Sequence, residues 1–379
     1  MRRLRLGMVG GGHGAFIGAV HRYAARLDGE WELVAGALSS DPKRAAASAS
    51  GLGIVPERSY ADFRYMAQAE AMREDGIDAV AIVTPNHMHA GPAVAFLDAG
   101  IHVICDKPLA ATAEDADAIA DAVMRSGRHF VLTHNYTGYP MIRQAREMVA
   151  NGDLGALRVV QVEYAQDWLT ETLSTKQADW RTDPERSGAG GCVGDIGTHA
   201  FNLATFVTGA APESLSAELN TFVAGRRVDD DVQVRLRYKT GARGSLWASQ
   251  VAVGNENGLR LRVYGDRAGI EWSQETPNSL AFTVFGEPRR ILTRAGAGVT
   301  SSANVTARTP AGHPEGYLEA FATIYSDAAK LIRAGASNGT RQVPIPSIED
   351  GLAGMRFIAS CLRSSMGNGV WVDLGSAAR

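Results

Sequence analysis

An ammonium, a carboxylate and an imidazole together can take a proton from a hydroxyl and steady the charge left behind. The chain offers such a set. Cys105-Asp106-Lys107-Pro108-Leu109 ends an apolar run. Ligands of open parallel sheets sit outside the carboxyl ends of the strands, so Lys107 is expected to point at a ligand crevice. Gly188-Ala189-Gly190-Gly191-Cys192-Val193-Gly194-Asp195-Ile196-Gly197-Thr198-His199 is the second dense segment. Asp195 and His199 are four residues apart and share one face if the segment is helical. The glycines before them would let the backbone pass close to another group, a cofactor ring being the expectation. Each feature also has a plainer reading: a surface lysine at a loop start, a helix cap, a satisfied core histidine. Their combination favours a catalytic role.

Gly10-Gly11-Gly12-His13-Gly14-Ala15 lies between an apolar run at 4–9 and an amphipathic stretch at 16–27. It satisfies G-x-G-x-x-A, in which residues without side chains let backbone N–H groups and a helix start reach a pyrophosphate. Strand, loop and helix in that order point to a nicotinamide dinucleotide. Gly10, Gly12, His13, Gly14, Ala15, Phe16 and Ile17 are therefore candidate cofactor contacts. An acid is expected at the end of the second strand to hold the ribose 2′-OH. Ser39 stands there instead, and Asp41, two residues late, reads as a helix cap before Pro42. Ser39 and Ser40 suit a hydroxyl or a 2′-phosphate. Lys43 and Arg44 would neutralise a phosphate or simply form a solvated helix face. NAD is expected, and NADP is compatible with the same residues. The rim segment Thr84-Pro85-Asn86-His87-Met88-His89 adds Thr84, Pro85, Asn86 and His89, the last two toward the nicotinamide ribose. Asp106, Lys107, Asn135, Trp180 and Arg181 complete the cofactor set.

These residues need elements to hold them. Strand signals at 4–9, 32–38, 79–83, 102–105 and 129–133 alternate with helical stretches at 16–27, 42–50, 60–74, 88–99 and 113–126. Unbroken apolar strands between helices imply a parallel sheet covered on both faces, a doubly wound α/β fold. After residue 139 the rhythm changes. A helix at 141–151 precedes strands at 159–164, 232–238, 244–253 and 259–264 with little helix between, which indicates an open, mostly antiparallel sheet. Helical segments return at 314–334 and 348–366, and 296–312 reads as a loop. The expected division is 1–135 for dinucleotide binding and 136–379 as an α+β substrate and oligomerisation domain, the last helix packing back on the first.

Composition narrows the class. The 379 residues carry a formal net charge of −3, 45% hydrophobic and 21% charged residues. That is an ordinary globular balance without the basic excess of a nucleic-acid binder. No run approaches the roughly 18 apolar residues that span a bilayer. The three cysteines, Cys105, Cys192 and Cys361, form neither a disulfide framework nor a zinc pattern, which favours a reducing, cytoplasmic setting and no metal.

The glycine loop, Asp106-Lys107-Pro108 in place of Glu-Lys-Pro, and Asp195-x-x-x-His199 together resemble the Gfo/Idh/MocA oxidoreductases, which include glucose–fructose oxidoreductase and inositol dehydrogenases. The resemblance spans nearly the whole chain, including the helix at Asp350-Gly351. It implies an N-terminal Rossmann domain for NAD(P) and a C-terminal sheet that forms the substrate pocket and an oligomer interface. The family's catalytic lysine, aspartate and histidine map to Lys107, Asp195 and His199. The expected reaction oxidises a secondary hydroxyl, with His199 as base, Lys107 beside the developing alkoxide and Asp195 orienting the imidazole or bonding a neighbouring hydroxyl. Tyr136, Asp167, Trp168, Arg181 and His313 are further candidate substrate contacts, since Trp faces with polar partners suit sugars. The run from Gly14 to Arg22 looks most like inositol and L-glucose 3-dehydrogenase-like members, so an inositol, aldose or related cyclic polyol is the expected substrate. A sheet face uncovered by local helices implies a homodimer or homotetramer. Two other classes fit the same motifs: a dehydratase-like or glycosidase-like enzyme that recycles bound NAD, and a non-catalytic dinucleotide sensor.

Overall fold

The computed structural model describes residues 2–335 and 343–375. The chain divides into two compact units: Met1–Asn135 with Phe321–Leu352, and Tyr136–Ala320 with Ala353–Arg379. The first unit alternates strand and helix through β1 (Leu4–Gly10), α1 (Phe16–Leu27), β2 (Trp31–Ala37), α2 (Pro42–Gly51), α3 (Phe63–Ala71), β3 (Ala79–Val83), α4 (Ala90–Asp98), β4 (His102–Cys105), α5 (Ala113–Ser126) and β5 (Phe130–Leu132). The strands form one parallel sheet ordered β2-β1-β3-β4-β5. All five residues of β3 are buried, as an apolar strand covered on both faces must be. Sequence order reverses between β1 and β3, and such a switch point is where an open α/β sheet takes its ligand.

Local chemistry sets the helix boundaries. Asp41 accepts from the Arg44 N–H and starts α2 ahead of Pro42. Asp62 accepts from the N–H groups of Arg64 and Tyr65, so α3 begins at Phe63, later than the periodicity from residue 60 implies. Thr112 caps α5, which ends where Gly127 turns left-handed at φ +61°.

The second unit holds α6 (Pro140–Ala150), β6 (Leu157–Ala165), α7 (Lys176–Arg181), α8 (Pro184–Ser187), α9 (Thr198–Thr208) and β7 (Ser214–Asn220). There follow β8 (Asp231–Arg237), β9 (Arg243–Ser249), β10 (Gly258–Gly265), β11 (Ala268–Ser273), β12 (Ser279–Val284), β13 (Arg290–Thr293) and the short α10 (Ser301–Asn304). Two long helices, α11 (Tyr317–Ala334) and α12 (Ile348–Met366), and β14 (Val372–Asp373) complete the chain. Nine strands form a sheet ordered β13-β12-β11-β10-β6-β9-β8-β7-β14, antiparallel throughout except for the β6–β9 pair. One face is apolar: Val160, Val162, Val234, Leu246, Leu259, Leu261 and Val263 are buried in a core that also holds α6 and α9 side chains. The other face carries Gln161, Glu163, Gln233, Arg235, Trp247 and Arg262 around a depression of about 770 Å³.

The structure adds strands at β7, β11, β12, β13 and β14 to the four read from alternation. β13 is four residues long and mostly exposed, so it leaves no apolar pattern to read. Likewise α11 starts at Tyr317 and not at 314. Glu315 is buried in an ion pair with Arg294 (3.0 Å) and fixes the preceding turn outside the helix. A four-residue helix, α10, interrupts the expected loop at 296–312.

Residues of α11 and the segment after it belong to the first unit. The Tyr325 hydroxyl meets His21 Nδ1 at 2.8 Å, its carbonyl accepts from Trp31 Nε1 at 2.9 Å, and the Pro346 carbonyl accepts from the Leu132 N–H at 3.1 Å. Buried histidines of this unit are held neutral. Burial pulls His21 and His102 down to about 4, and burial together with the Lys107 charge pulls His134 down to about 3. His102 Nδ1 also accepts from the His129 N–H (2.9 Å), a role that a protonated ring loses. A depressed pKa contributes stability above the unfolded value near 6.5 that disappears as pH falls toward the folded value. Asp229 of the second unit, pushed up to about 6 by burial, works in the opposite sense but is one group against several histidines. The urea midpoint should therefore fall steadily from pH 6.5 to pH 4, at a cost on the order of 2–3 kcal/mol per fully buried histidine. His134→Gln should flatten part of that fall; an unchanged slope would show that His134 takes no part in it.

Candidate active site

In the first unit the glycine loop leaves β1 at Gly10 and enters α1 through Ala15. Its tightness comes from what the glycines touch. A Cβ on Gly18 would stand 2.4 Å from the Gly11 Cα, and one on Gly12 would stand 2.7 Å from the Leu38 carbonyl. The loop is thus pressed between α1 and the end of β2. The His13 N–H donates to Ser48 Oγ (3.1 Å), and Arg22 donates to the Gly11 carbonyl (2.6 Å). Among the motif positions only the glycines and Ala15 were legible; Gly18, Arg22 and Ser48 carry no such signature.

The start of α1 has no side-chain cap and no acid in its first turn, whereas α2, α3 and α5 are each capped by their own Asp or Thr. Uncapped N–H groups and the positive end of the helix dipole suit an anion such as a pyrophosphate. His13 and Phe16 are exposed beside it, and Ile17 is half-buried. At the end of β2, Ser39 Oγ accepts from the Asp41 N–H (3.2 Å) while the Asp41 carboxylate is used as the α2 cap. Ser39 is half-buried; Ser40 and Lys43 are exposed.

The structure assigns His89 a different task from the ribose contact expected of it. Its side chain is fully buried, with Nδ1 2.9 Å from the Pro108 carbonyl and Nε2 2.9 Å from the Thr84 carbonyl. Burial outweighs the pull of Asp106 and the carbonyls and lowers its pKa. A neutral ring has one N–H, so it donates to one of the two oxygens. His89 thereby joins the turn after β3 to the turn after β4. Asp106, also expected against the cofactor, uses Oδ1 to accept from the Lys107 N–H (2.9 Å) and from Thr133 Oγ1 (3.1 Å). It braces the backbone of Lys107, whose peptide bond to Pro108 is cis. Thr84 and Pro85 are half-buried at the same rim and Asn86 is buried in a short turn. Asn135 is buried with its Nδ2 unpartnered, a donor that a bound group would satisfy.

In the second unit the Asp195–His199 segment is not a plain α-helix. Val193–Gly197 is a π-helical turn that passes into α9 at Thr198. Single π turns are rare and occur often at functional sites. The Asp195 carboxylate Oδ2 accepts from Arg181 Nε (3.2 Å) and Gln250 Nε2 (2.9 Å). The Arg181 guanidinium lies 4.2 Å from the Trp180 ring and 6.0 Å from the Trp168 ring. Arg181 is thus partly spent on Asp195.

The His199 ring is buried, edge-on to Tyr136 with centroids 4.8 Å apart, and 6.1 Å from Tyr164. Behind it runs a chain of polar groups. The Tyr136 and Tyr164 hydroxyls are 2.5 Å apart, Tyr164 donates to Asn257 Oδ1 (2.7 Å), Gln166 Nε2 donates to the same oxygen (2.8 Å), and Trp168 Nε1 donates to Gln166 Oε1 (3.0 Å). Burial raises the pKa of both phenols, so they stay protonated around the imidazole. Tyr139 stacks on Tyr136 and, with Gln274, Asn278 and Tyr317, lines a hollow of about 450 Å³. Sequence reading found Tyr136 and Trp168 but missed Tyr164, Gln166, Gln250 and Asn257. Tyr164 sits on a strand whose alternation marks it only as core.

Two expected substrate contacts are placed differently. The Asp167 carboxylate accepts from the Gly254 N–H (2.9 Å) and holds that turn. His313 is exposed in the loop before α11, its backbone carbonyl accepting from Arg294 and Thr309. The glycines at 190 and 191 also have another neighbour than the cofactor ring expected there. A Cβ on Gly191 would lie 2.3 Å from the Asp229 carbonyl, and one on Gly190 would lie 2.5 Å from a Val193 methyl.

Comparison with known proteins places the chain in a family. Residues 4–136 match the family described as oxidoreductases with an NAD-binding Rossmann fold, and residues 142–271 match the GFO/IDH/MocA C-terminal domain. An oxidoreductase from Sinorhizobium meliloti is 55% identical and superposes with a TM-score of 0.90 over 98% of this chain and 100% of its own. An inositol dehydrogenase homologue from Azotobacter vinelandii, solved with NADH and myo-inositol, is 35% identical with a TM-score of 0.92 over 98% of each chain. Levoglucosan dehydrogenase from Pseudarthrobacter phenanthrenivorans is 30% identical over 74% of this chain and 76% of its own. The chain belongs to the GFO/IDH/MocA oxidoreductase family, with an NAD-binding Rossmann domain followed by the family's C-terminal sheet domain.

Proposed function

We propose that the protein oxidises a secondary hydroxyl of an inositol, an aldose or a related cyclic polyol to a ketone, with NAD as hydride acceptor. The observation that carries this reading is the wall around His199. It consists of aromatic rings and hydroxyl and amide groups from Tyr136, Tyr164, Gln166, Asn257 and Trp168. Aromatic faces and neutral hydrogen-bonding groups are what a polyol ring requires. The relatives solved with myo-inositol and with levoglucosan support the same substrate class.

The residues divide the work as follows. His199 takes the hydroxyl proton as general base. Lys107 holds its ammonium against the negative charge growing on that oxygen. Asp195, fixed by Arg181 and Gln250, orients the imidazole or a neighbouring substrate hydroxyl. NAD, when bound, would supply the hydride acceptor, and the uncapped start of α1 with the rim of Thr84, Pro85, Asn86 and Asn135 would hold it. The proton leaves to His199, the hydride leaves from carbon, and the C–O bond becomes a carbonyl. The polar face of the nine-stranded sheet would be covered by a second copy, giving a homodimer or homotetramer.

Inositols and aldoses screened with NAD and with NADP, followed by the absorbance of reduced nicotinamide, should identify a cyclic polyol as substrate with NAD. Tightly held NAD without net NADH release would instead indicate a recycling enzyme. Dinucleotide binding with no turnover on any polyol would indicate a sensor. Lys107→Ala and His199→Ala should keep NAD binding and lose roughly 100-fold or more in kcat; full turnover in both removes this mechanism. Because Arg181 is engaged by Asp195, a neutral polyol should be used with kcat/KM roughly tenfold or more above its phosphate ester. A preference for the ester would show that Arg181 serves the substrate instead.

A further inference from the structure

Asp229, Asp230 and Asp231 are three consecutive acids, all buried. Two of them have local explanations. Asp230 accepts from the Phe222 and Val223 N–H groups and pairs with Arg226 at 3.2 Å, and Asp231 accepts from Trp247 Nε1 at 2.9 Å. Asp229 has a different one. Its Oδ1 accepts from the Gly191 N–H at 2.7 Å and its Oδ2 from the Val193 N–H at 2.7 Å. Its backbone carbonyl accepts from the Cys192 N–H at 2.9 Å. Three successive N–H groups of the glycine-rich turn therefore end on one residue far away in sequence.

That turn is the start of the π segment. Helix starts leave N–H groups without intrahelical partners, and this one has no side-chain cap of its own. A buried carboxylate that takes two of these N–H groups fixes both the axial rotation and the height of the turn, because charge-assisted bonds at 2.7 Å tolerate little displacement. Asp195 follows two residues after Val193 and His199 four residues after that. Gly191 completes the fit, since a Cβ there would meet the Asp229 carbonyl at 2.3 Å and a Val228 methyl at 2.6 Å. The glycine-rich motif is thus explained by a protein contact: it admits Asp229.

We infer that Asp229 is a positioning residue for the chemistry, setting where the Asp195 carboxylate and the His199 imidazole stand. The inference rests on the reading of His199 as the base. Asp229→Asn presents one acceptor where two are used, and Gly191→Ala displaces the turn while leaving the carboxylate in place. Steady-state kinetics on the best polyol, NAD affinity and thermal midpoint would be measured for both variants, with His199→Ala alongside. Both should lower kcat by roughly 10- to 100-fold, further than KM rises, with NAD affinity within about threefold of the parent. A kcat within twofold of the parent in both, while His199→Ala is inactive, overturns the role of Asp229. An active His199→Ala overturns the proposed chemistry instead. A second readout is independent of turnover: in protein labelled with ¹⁵N-histidine, the His199 ring signals, assigned from their loss in His199→Ala, should shift in both variants. Unchanged signals overturn the positioning role whatever the activity, and Gly191→Ala decides the matter if Asp229→Asn folds poorly.

Discussion

Backbone N–H groups at helix starts have no partner within their own helix, and how each is satisfied organises this protein. Asp41, Asp62 and Thr112 satisfy α2, α3 and α5 locally, with side chains next to the helix in sequence. Those helices serve the sheet and nothing more is asked of their ends. Other starts lack such a cap, those of α4 and α6 among them. The start of α1 is left uncapped and closed in by glycine packing, so its N–H groups remain for a ligand. The turn before α9 is served by a carboxylate 36 residues or more away in sequence.

Much of this was legible in the sequence, for reasons of period and spacing. Apolar strands between amphipathic helices gave the parallel sheet, because burial on both faces leaves a continuous apolar run. The glycine loop was legible because its function needs the absence of side chains. Lys107 and the Asp195–His199 pair were legible as residue types at a strand end and at helical spacing. The contacts around them were not. Gln250, Asn257 and Gln166 act through pairings between strands whose register no local pattern encodes. His89 is read in sequence as a ribose contact and is a buried tie in the fold. The edge strand β13 was silent because an exposed edge carries no apolar alternation.

The neighbourhood of His199 is polar without being highly charged. Its hydrogen-bond chain runs through phenols, amides and an indole, and Arg181 is bound to Asp195. Half-buried pairs of this kind contribute modestly to stability. Their value is geometric, because Arg181 stacked between Trp180 and Trp168 ties the α7 region to the π turn.

The tie made by His89 has a consequence for how freely the sequence can drift. Both of its contacts are to main-chain oxygens, of Thr84 and Pro108, so the side chains at those two positions can change without touching it. Position 89 has no such latitude. A shorter amide cannot reach from one oxygen to the other, and an apolar ring would remove the one N–H that the neutral imidazole donates. A single buried imidazole thus joins the two turns through main-chain atoms alone.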